Sequence, residues 1–478
     1  MFVETEKLPF PMARVDVEII SQLEERKPEK IRVLVLFGLI GFIYSFIAYC
    51  VPLLSQALLG ETFIIIPYPW YDMTESFRSI LPGAMIGIDT NFLIYMLGII
   101  LPYETDLWMF ISSFISSVLG NPIVVWYFPK LIPKWVIFPY GMKLSDIMFW
   151  SSIYVWYPIS IGIAFGVFIE QLIKGKKGFI SAVGSLSKIS VENRKIGYLS
   201  LKSIIIIYLV ATITWFLIVS QVMIKGFPII PLLFLIVIWP FIHGFISIRA
   251  YAETGFYLNI PYFNQNIINL TMVSYNIPIY SKLGIRPWFT PLGVNYGSGW
   301  TQNFYVSKGV RCTFSSYIKA VIIVATPIAI IFNLLYSEYL WKISPVPSPM
   351  FQYAQIFWPI NAGQSMLWYT RKVYSFNPLL TLGSFGGLLL LSLIASFIHI
   401  PYSSIGVMMG ISNPLPTPLA LFLGAITVKI IENALKHKVK IREYAYMMIG
   451  GYAIGSSIAI TLAVSAVIFS KSVWPLPF

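Results

Sequence analysis

The stretch "KSIIIIYLVATITWFLIVSQ" (residues 202–221) holds one charge and no alternation of polar and apolar positions. In hydrocarbon such a run satisfies its backbone polar groups as a helix, and about 20 residues are enough to cross roughly 30 Å. Runs of this kind recur near 32–57, 82–101, 107–128, 147–173, 203–224, 228–250, 317–337, 379–398, 414–435 and 447–469. A membrane β-barrel needs period-two alternation, and these runs have none. The expected fold is all-α, a polytopic membrane protein with about 10–12 transmembrane helices, some broken or re-entrant. Composition agrees: 11% of residues are charged, against about 25% in soluble domains.

Charge sets the expected orientation. Residues 1–30 mix both signs and lack an apolar h-region with a small-residue cleavage site, so they read as a cytoplasmic segment and not a signal peptide. The net charge of +13 fits basic cytoplasmic loops better than a nucleic-acid surface, and no nucleic-acid partner is expected. Residues 174–202 carry seven Lys or Arg and belong in the cytoplasm, and four preceding crossings then place the N-terminus there too. The second basic loop, "LKHKVKIREY" (435–444), falls on the opposite side by simple alternation. An extra crossing at 352–369, or a re-entrant piece at 399–412, would repair the count. The chain divides into the segment 1–30, a first helix bundle 31–253, a polar aromatic-rich connection 254–315, and a second bundle 316–478 with the re-entrant piece near 399–412. It is read as a multi-pass protein of a prokaryotic cell membrane, with the lipid bilayer as its first partner.

Pro122, Pro158, Pro240 and Pro327 lie inside apolar runs, and kinked or broken helices are expected there. Glycine pairs four apart (83/87, 162/166, 383/387, 406/410, 451/455) allow close helix contact. Residues 254–315 and 338–378 are too polar to span. Their Trp, Tyr and amide content suits ordered segments packed on the helices, with irregular backbone beside protein or water.

Catalytic signatures are scarce. The chain has no phosphate loop ending in Gly-Lys-Ser/Thr, no His-Glu-x-x-His and no Gly-x-Ser-x-Gly. It reads as a non-enzyme with no cofactor and no metal site. Cys50 and Cys312 offer neither a structural disulfide nor a thiolate cluster. His243 and His399 are each a proton relay, a quinone contact or a hydrogen-bonded packing residue.

Charges inside apolar runs are costly unless paired or hydrated, so they single themselves out. Asp89 in "GAMIGIDTNFLIYML" is either a proton-carrying carboxylate or, with Thr90 and Asn91, the cap of a half-helix. Lys429 and Glu432 sit three apart and can pair along one helix face. Glu170 reads as an interfacial anchor. Candidate proton-coupling residues are therefore Asp89, Glu432 and His399. Arg249 and Glu253 in "RAYAETGF" can pair at i and i+4 where Gly255 stops the helix. With Asn361 and Gln364 of "WPINAGQSMLWY" they are the candidate solute contacts.

"RAYAETGF" resembles the Arg-x-x-Ala-Glu-x-Gly stretch of prokaryotic membrane proteins related to the oligopeptide transporter family. "HIPYSSIGVMMG", "VKIIENALKHKVKIREY" and "MMIGGYAIGSSIAI" follow in the order of that family's short re-entrant piece, basic loop and closing Gly-rich helix. The resemblance covers residues 245–470, and the first half weakly. It implies proton-coupled uptake of peptides or similar small polar solutes, with Arg249 as a carboxylate clamp. Two other classes stay open: a non-catalytic membrane subunit or scaffold, for example in a respiratory complex, and an enzyme acting on lipid. Homo-oligomerisation or a partner in a membrane complex is compatible with either of the first two classes.

Overall fold

The computed structural model describes residues 2–3, 6–132, 141–186, 201–278, 281–292, 297–343, 352–369, 378–434 and 441–473. In chain order it forms α1 (Pro11–Glu25), α2 (Pro28–Leu59), the strands β1 (Trp70–Asp72) and β2 (Gly87–Asp89), α3 (Phe92–Ile100), α4 (Tyr103–Tyr127), α5 (Leu144–Lys176), α6 (Lys202–Met223), α7 (Ile229–Thr254), α8 (Phe263–Ser274), α9 (Gly297–Gly309), α10 (Ser315–Tyr339), α11 (Gln352–Tyr369), α12 (Pro378–Ile398), α13 (Ser404–Ser412), α14 (Pro416–Ala434) and α15 (Tyr444–Ser470). Among the described residues nine helices are long and apolar enough to cross a membrane. The chain is an all-α, multi-pass integral membrane protein, and these nine match nine of the ten apolar runs. The tenth, 82–101, is no continuous helix: it yields β2 and the nine-residue α3, about 14 Å long at 1.5 Å per residue.

Prolines inside the spans do not break them. Five π-helical stretches, Phe46–Cys50, Phe114–Gly120, Ser152–Trp156, Phe234–Ile238 and Val321–Ala325, each end two residues before a proline: Pro52, Pro122, Pro158, Pro240 and Pro327. A proline ring clashes with the carbonyl four residues back and supplies no N–H to it. Widening the preceding turn moves that carbonyl aside, so the helix continues past the proline.

The chain forms two compact units. The first is Met1–Phe10, Ile153–Tyr317 and Gln364–Met408. Here the polar connection after α7 is largely helical, not irregular, with α8, α9 and a single turn at Arg286–Phe289. It folds back: Ile268, Met272 and Leu292 join Val219, Ile224, Leu232 and Leu235 in one apolar cluster. Trp215 Nε1 donates to the Pro291 carbonyl at 3.0 Å. α5 and α12 run parallel, with Gly162 against Thr381 and Ser384, and Gly166 against Leu388.

The second unit is Pro11–Ser152, Ile318–Gly363 and Met409–Phe478. Its spine is the parallel pair α2 and α15. Gly38 lies against Gly451 and Gly455, Ser45 Oγ donates to Ser456 Oγ at 2.7 Å, and Cys50 and Leu53 cluster with Ala459, Ala463 and Val467. A Cβ at Gly455 would overlap the Gly38 carbonyl, so the backbones touch only because no side chain intervenes.

Candidate functional site

The ends of the second unit can be matched by contact. Lys429, near the end of α14, sits 4.2 Å from the ring centroid of Tyr103, the first residue of α4. Val15 of α1 packs with Met96 of α3 and Ile449 of α15. The starts of α2, α4 and α15 therefore share one end with the finish of α3 and α14, while α2 finishes at the other. Residues 60–102 must carry the chain back across, and they do so with a β-hairpin followed by a half-length helix. The sequence dictates this. β1 and β2 pair antiparallel with Trp70 opposite Asp89. Asp89 Oδ1 accepts from the Asn91 N–H at 2.8 Å, and the Asn91 side chain accepts from Leu93 N–H at 3.1 Å, capping α3.

A second broken element meets the first. Asn413 and the prolines of "NPLPTP" end α13 and open α14 with Pro416 in its first turn. Asp89 Oδ2 accepts from Thr417 Oγ1 at 2.6 Å. The depth is central in the unit. Tyr44, the seventeenth residue of the 32-residue α2, donates its hydroxyl to the Thr90 carbonyl, and Ser113, the eleventh of 25 in α4, donates to the Asn413 carbonyl at 2.9 Å. Two helix N-termini, those of α3 and α14, thus converge on one buried carboxylate, a favourable placement for negative charge. Of its two sequence readings, the geometry displays the cap.

In the first unit Gly175 lies against the Arg249 side chain and Arg249 pairs with Glu6. In the second unit Asn413 reaches the middle of α4 and α14 returns beside Tyr103, so α14 has the length of a span but starts at mid-depth. The expected sidedness of the basic loops 174–202 and 435–444 falls largely on residues 187–200 and 435–440, which lie outside the described residues.

β1 also lines a cavity of about 1150 Å³ in the second unit, walled by Tyr68, Trp70, Tyr71, Phe149 and Trp150, with Asp72 among its charged groups. Trp70 is the register partner of Asp89, so the cavity reaches the hairpin that carries the carboxylate.

The other sequence candidates are scattered. Arg249 is buried and its fork is shared: Nη2 meets Glu253 Oε1 at 2.7 Å and Nη1 meets Glu6 Oε2. Glu6 belongs to an N-terminal segment tied down by Phe10, whose N–H donates to the Ala252 carbonyl at 2.9 Å. Gly255, at φ 80°, stops α7 as expected. Glu170 is buried and paired with Lys174 at 2.5 Å. His399 is exposed and left-handed (φ 60°), terminating α12, with Nδ1 3.0 Å from the Phe397 carbonyl. Glu432 is half-buried, and among the described residues its i, i+3 pair with Lys429 is not formed; Lys429 takes the Tyr103 ring instead. Asn361 is exposed on α11, and the Gln364 side chain lies outside the described residues. Among the described residues no cluster of three or more His, Cys, Asp or Glu is arranged to hold a metal ion.

Sequence reading missed Asp106. It is fully buried in the first turn of α4, one residue before the apolar run 107–128 from which that span was recognised. No family model matches the chain, and no curated protein matches it.

Proposed function

We propose that the protein is a secondary transporter, similar to the oligopeptide transporter family, that takes up peptides or similar small polar solutes with protons. No catalytic step is assigned to it. The observation that carries the reading is the meeting of the α3 and α14 N-termini at Asp89, midway along α2 and α4. Non-helical backbone at membrane depth is tolerated where protein buries it or where it lines an aqueous cavity. Transporters place their sites at such broken helices, with N-termini aimed at the solute. The cavity beside β1 is the solute entrance in this account. Its volume exceeds the roughly 300–1,000 Å³ of ordinary ligand sites, as an entrance filled with water would.

The test is uptake by proteoliposomes holding the purified protein, using a panel of labelled dipeptides under an imposed pH gradient. Accumulation that a protonophore abolishes is expected, and failure of every dipeptide to accumulate would defeat the reading.

One observation favours a second reading, a non-catalytic subunit of a larger membrane complex. No residue in the most apolar window of α10 is buried by the chain itself, which leaves a complete helix surface for lipid or a neighbouring protein. A stoichiometric partner copurifying from native membranes would select this reading; purification as an active single chain would select transport.

A further inference from the structure

Among the described residues Asp106 is the most deeply buried acid, in the first turn of α4. Its side chain is fully enclosed, and among the described residues neither carboxylate oxygen has a hydrogen-bond partner. Its backbone N–H is spent on the Pro102 carbonyl at 3.2 Å, inside the first turn of α4. α14 packs along this turn: Phe422 lies 6.2 Å from Tyr103 and stacks on Phe110 at 4.8 Å, closing the apolar side. The charged groups on these two helices are few. Glu104 precedes Asp106 in its own turn, Lys429 of α14 is held over the Tyr103 ring, and Glu432 is one turn further along α14. None of them bonds to the Asp106 carboxylate.

A buried carboxylate with no donor is costly as an ion, because nothing replaces the water it has lost. Asp89, one broken helix away, shows the contrast: two donors meet its two oxygens. Ionisable groups enclosed in membrane proteins without a structural partner mark ion and proton routes.

We propose that Asp106 is a proton-binding site, loaded from one side of the membrane and emptied to the other as α4 and α14 move, and that it supplies the proton of the coupled cycle. The step adds a proton to a carboxylate oxygen and later removes it, with no other bond made or broken. Proton binding stands by itself, and the coupling role rests on the transport reading above.

Infrared difference spectroscopy of the reconstituted protein, wild type minus Asp106→Asn, tests the site without reference to transport. A protonated carboxyl band present at neutral pH, and missing from the variant, is expected. A carboxylate band at neutral pH, or one that shifts with added sodium, would overturn the proposal and leave the transport reading standing. Asp106→Glu keeps a titratable group, so it should retain a protonated band, and gel filtration of both variants separates loss of fold from loss of the site. With dialanine as the transport probe, Asp106→Asn is expected to lose gradient-driven accumulation and to keep exchange across equal pH. Full accumulation in a folded Asp106→Asn protein would overturn the coupling role. If the wild type accumulates no dipeptide, the transport reading fails and the infrared band alone decides whether Asp106 binds a proton.

Discussion

Thr417 Oγ1 donates to Asp89 Oδ2 at 2.6 Å, tying together residues 328 apart in the chain and joining the N-termini of two helices that both begin in the middle of their unit. Removing the donor leaves a buried carboxylate oxygen unsatisfied. Thr417→Val should therefore cost about 1–3 kcal/mol, while Thr417→Ser should stay close to wild type. Thermal unfolding in detergent measures both, and equal stability of the Val and Ser variants would remove the tie from the account.

Much of this architecture was legible in the sequence. Nine spans follow from apolar runs alone, because burying backbone in lipid leaves few alternatives to a helix. The break at Asp89-Thr90-Asn91 was visible as a cap, yet hydropathy averages over it and returns a tenth span. Sequence marked the prolines as kinks; what it withheld was that a widened turn before each one lets the helix continue. Glu6 could not be found as a partner of Arg249, since 243 residues separate them and nothing local links the two. Asp106 was lost to a boundary drawn one residue too late, where a single acid following "LPYET" looks like an interfacial residue.

Glycine contacts separate close approach from mere abundance. Gly455→Val should destabilise by about 1–3 kcal/mol or more, because the added carbons meet backbone that cannot repack. A side chain at Gly383 meets nothing within 4 Å, so Gly383→Ala should be neutral. Detergent melting of the two variants checks the pair, and similar losses would mean that α2 and α15 are not in backbone contact.

Arg249 joins two carboxylates in a buried site, with its side chain 10% exposed and those of Glu6 and Glu253 at 13% and 27%. Arg249→Ala strands both acids and should cost about 3–5 kcal/mol. Arg249→Lys keeps the charge and loses the planar fork, so it should fall between. Exchanging Arg249 and Glu253 should recover less than half of the Ala loss, because Glu6 would then face a carboxylate. Complete recovery in the exchanged protein, by thermal unfolding, would show that Glu6 contributes nothing.

The central claim is that solute enters by the cavity at β1 and passes the two broken helices, and Tyr71 offers the most direct measurement. Tyr71 is exposed and lines that cavity. With Cys50 and Cys312 changed to serine, Tyr71→Cys protein in proteoliposomes should accumulate dialanine under an inside-alkaline gradient, and a bulky impermeant thiol reagent should abolish that accumulation. The cysteine-free parent should be unaffected by the reagent. Undiminished uptake after complete modification of residue 71 would contradict the account, as would a protein that accumulates no dipeptide before the reagent is added.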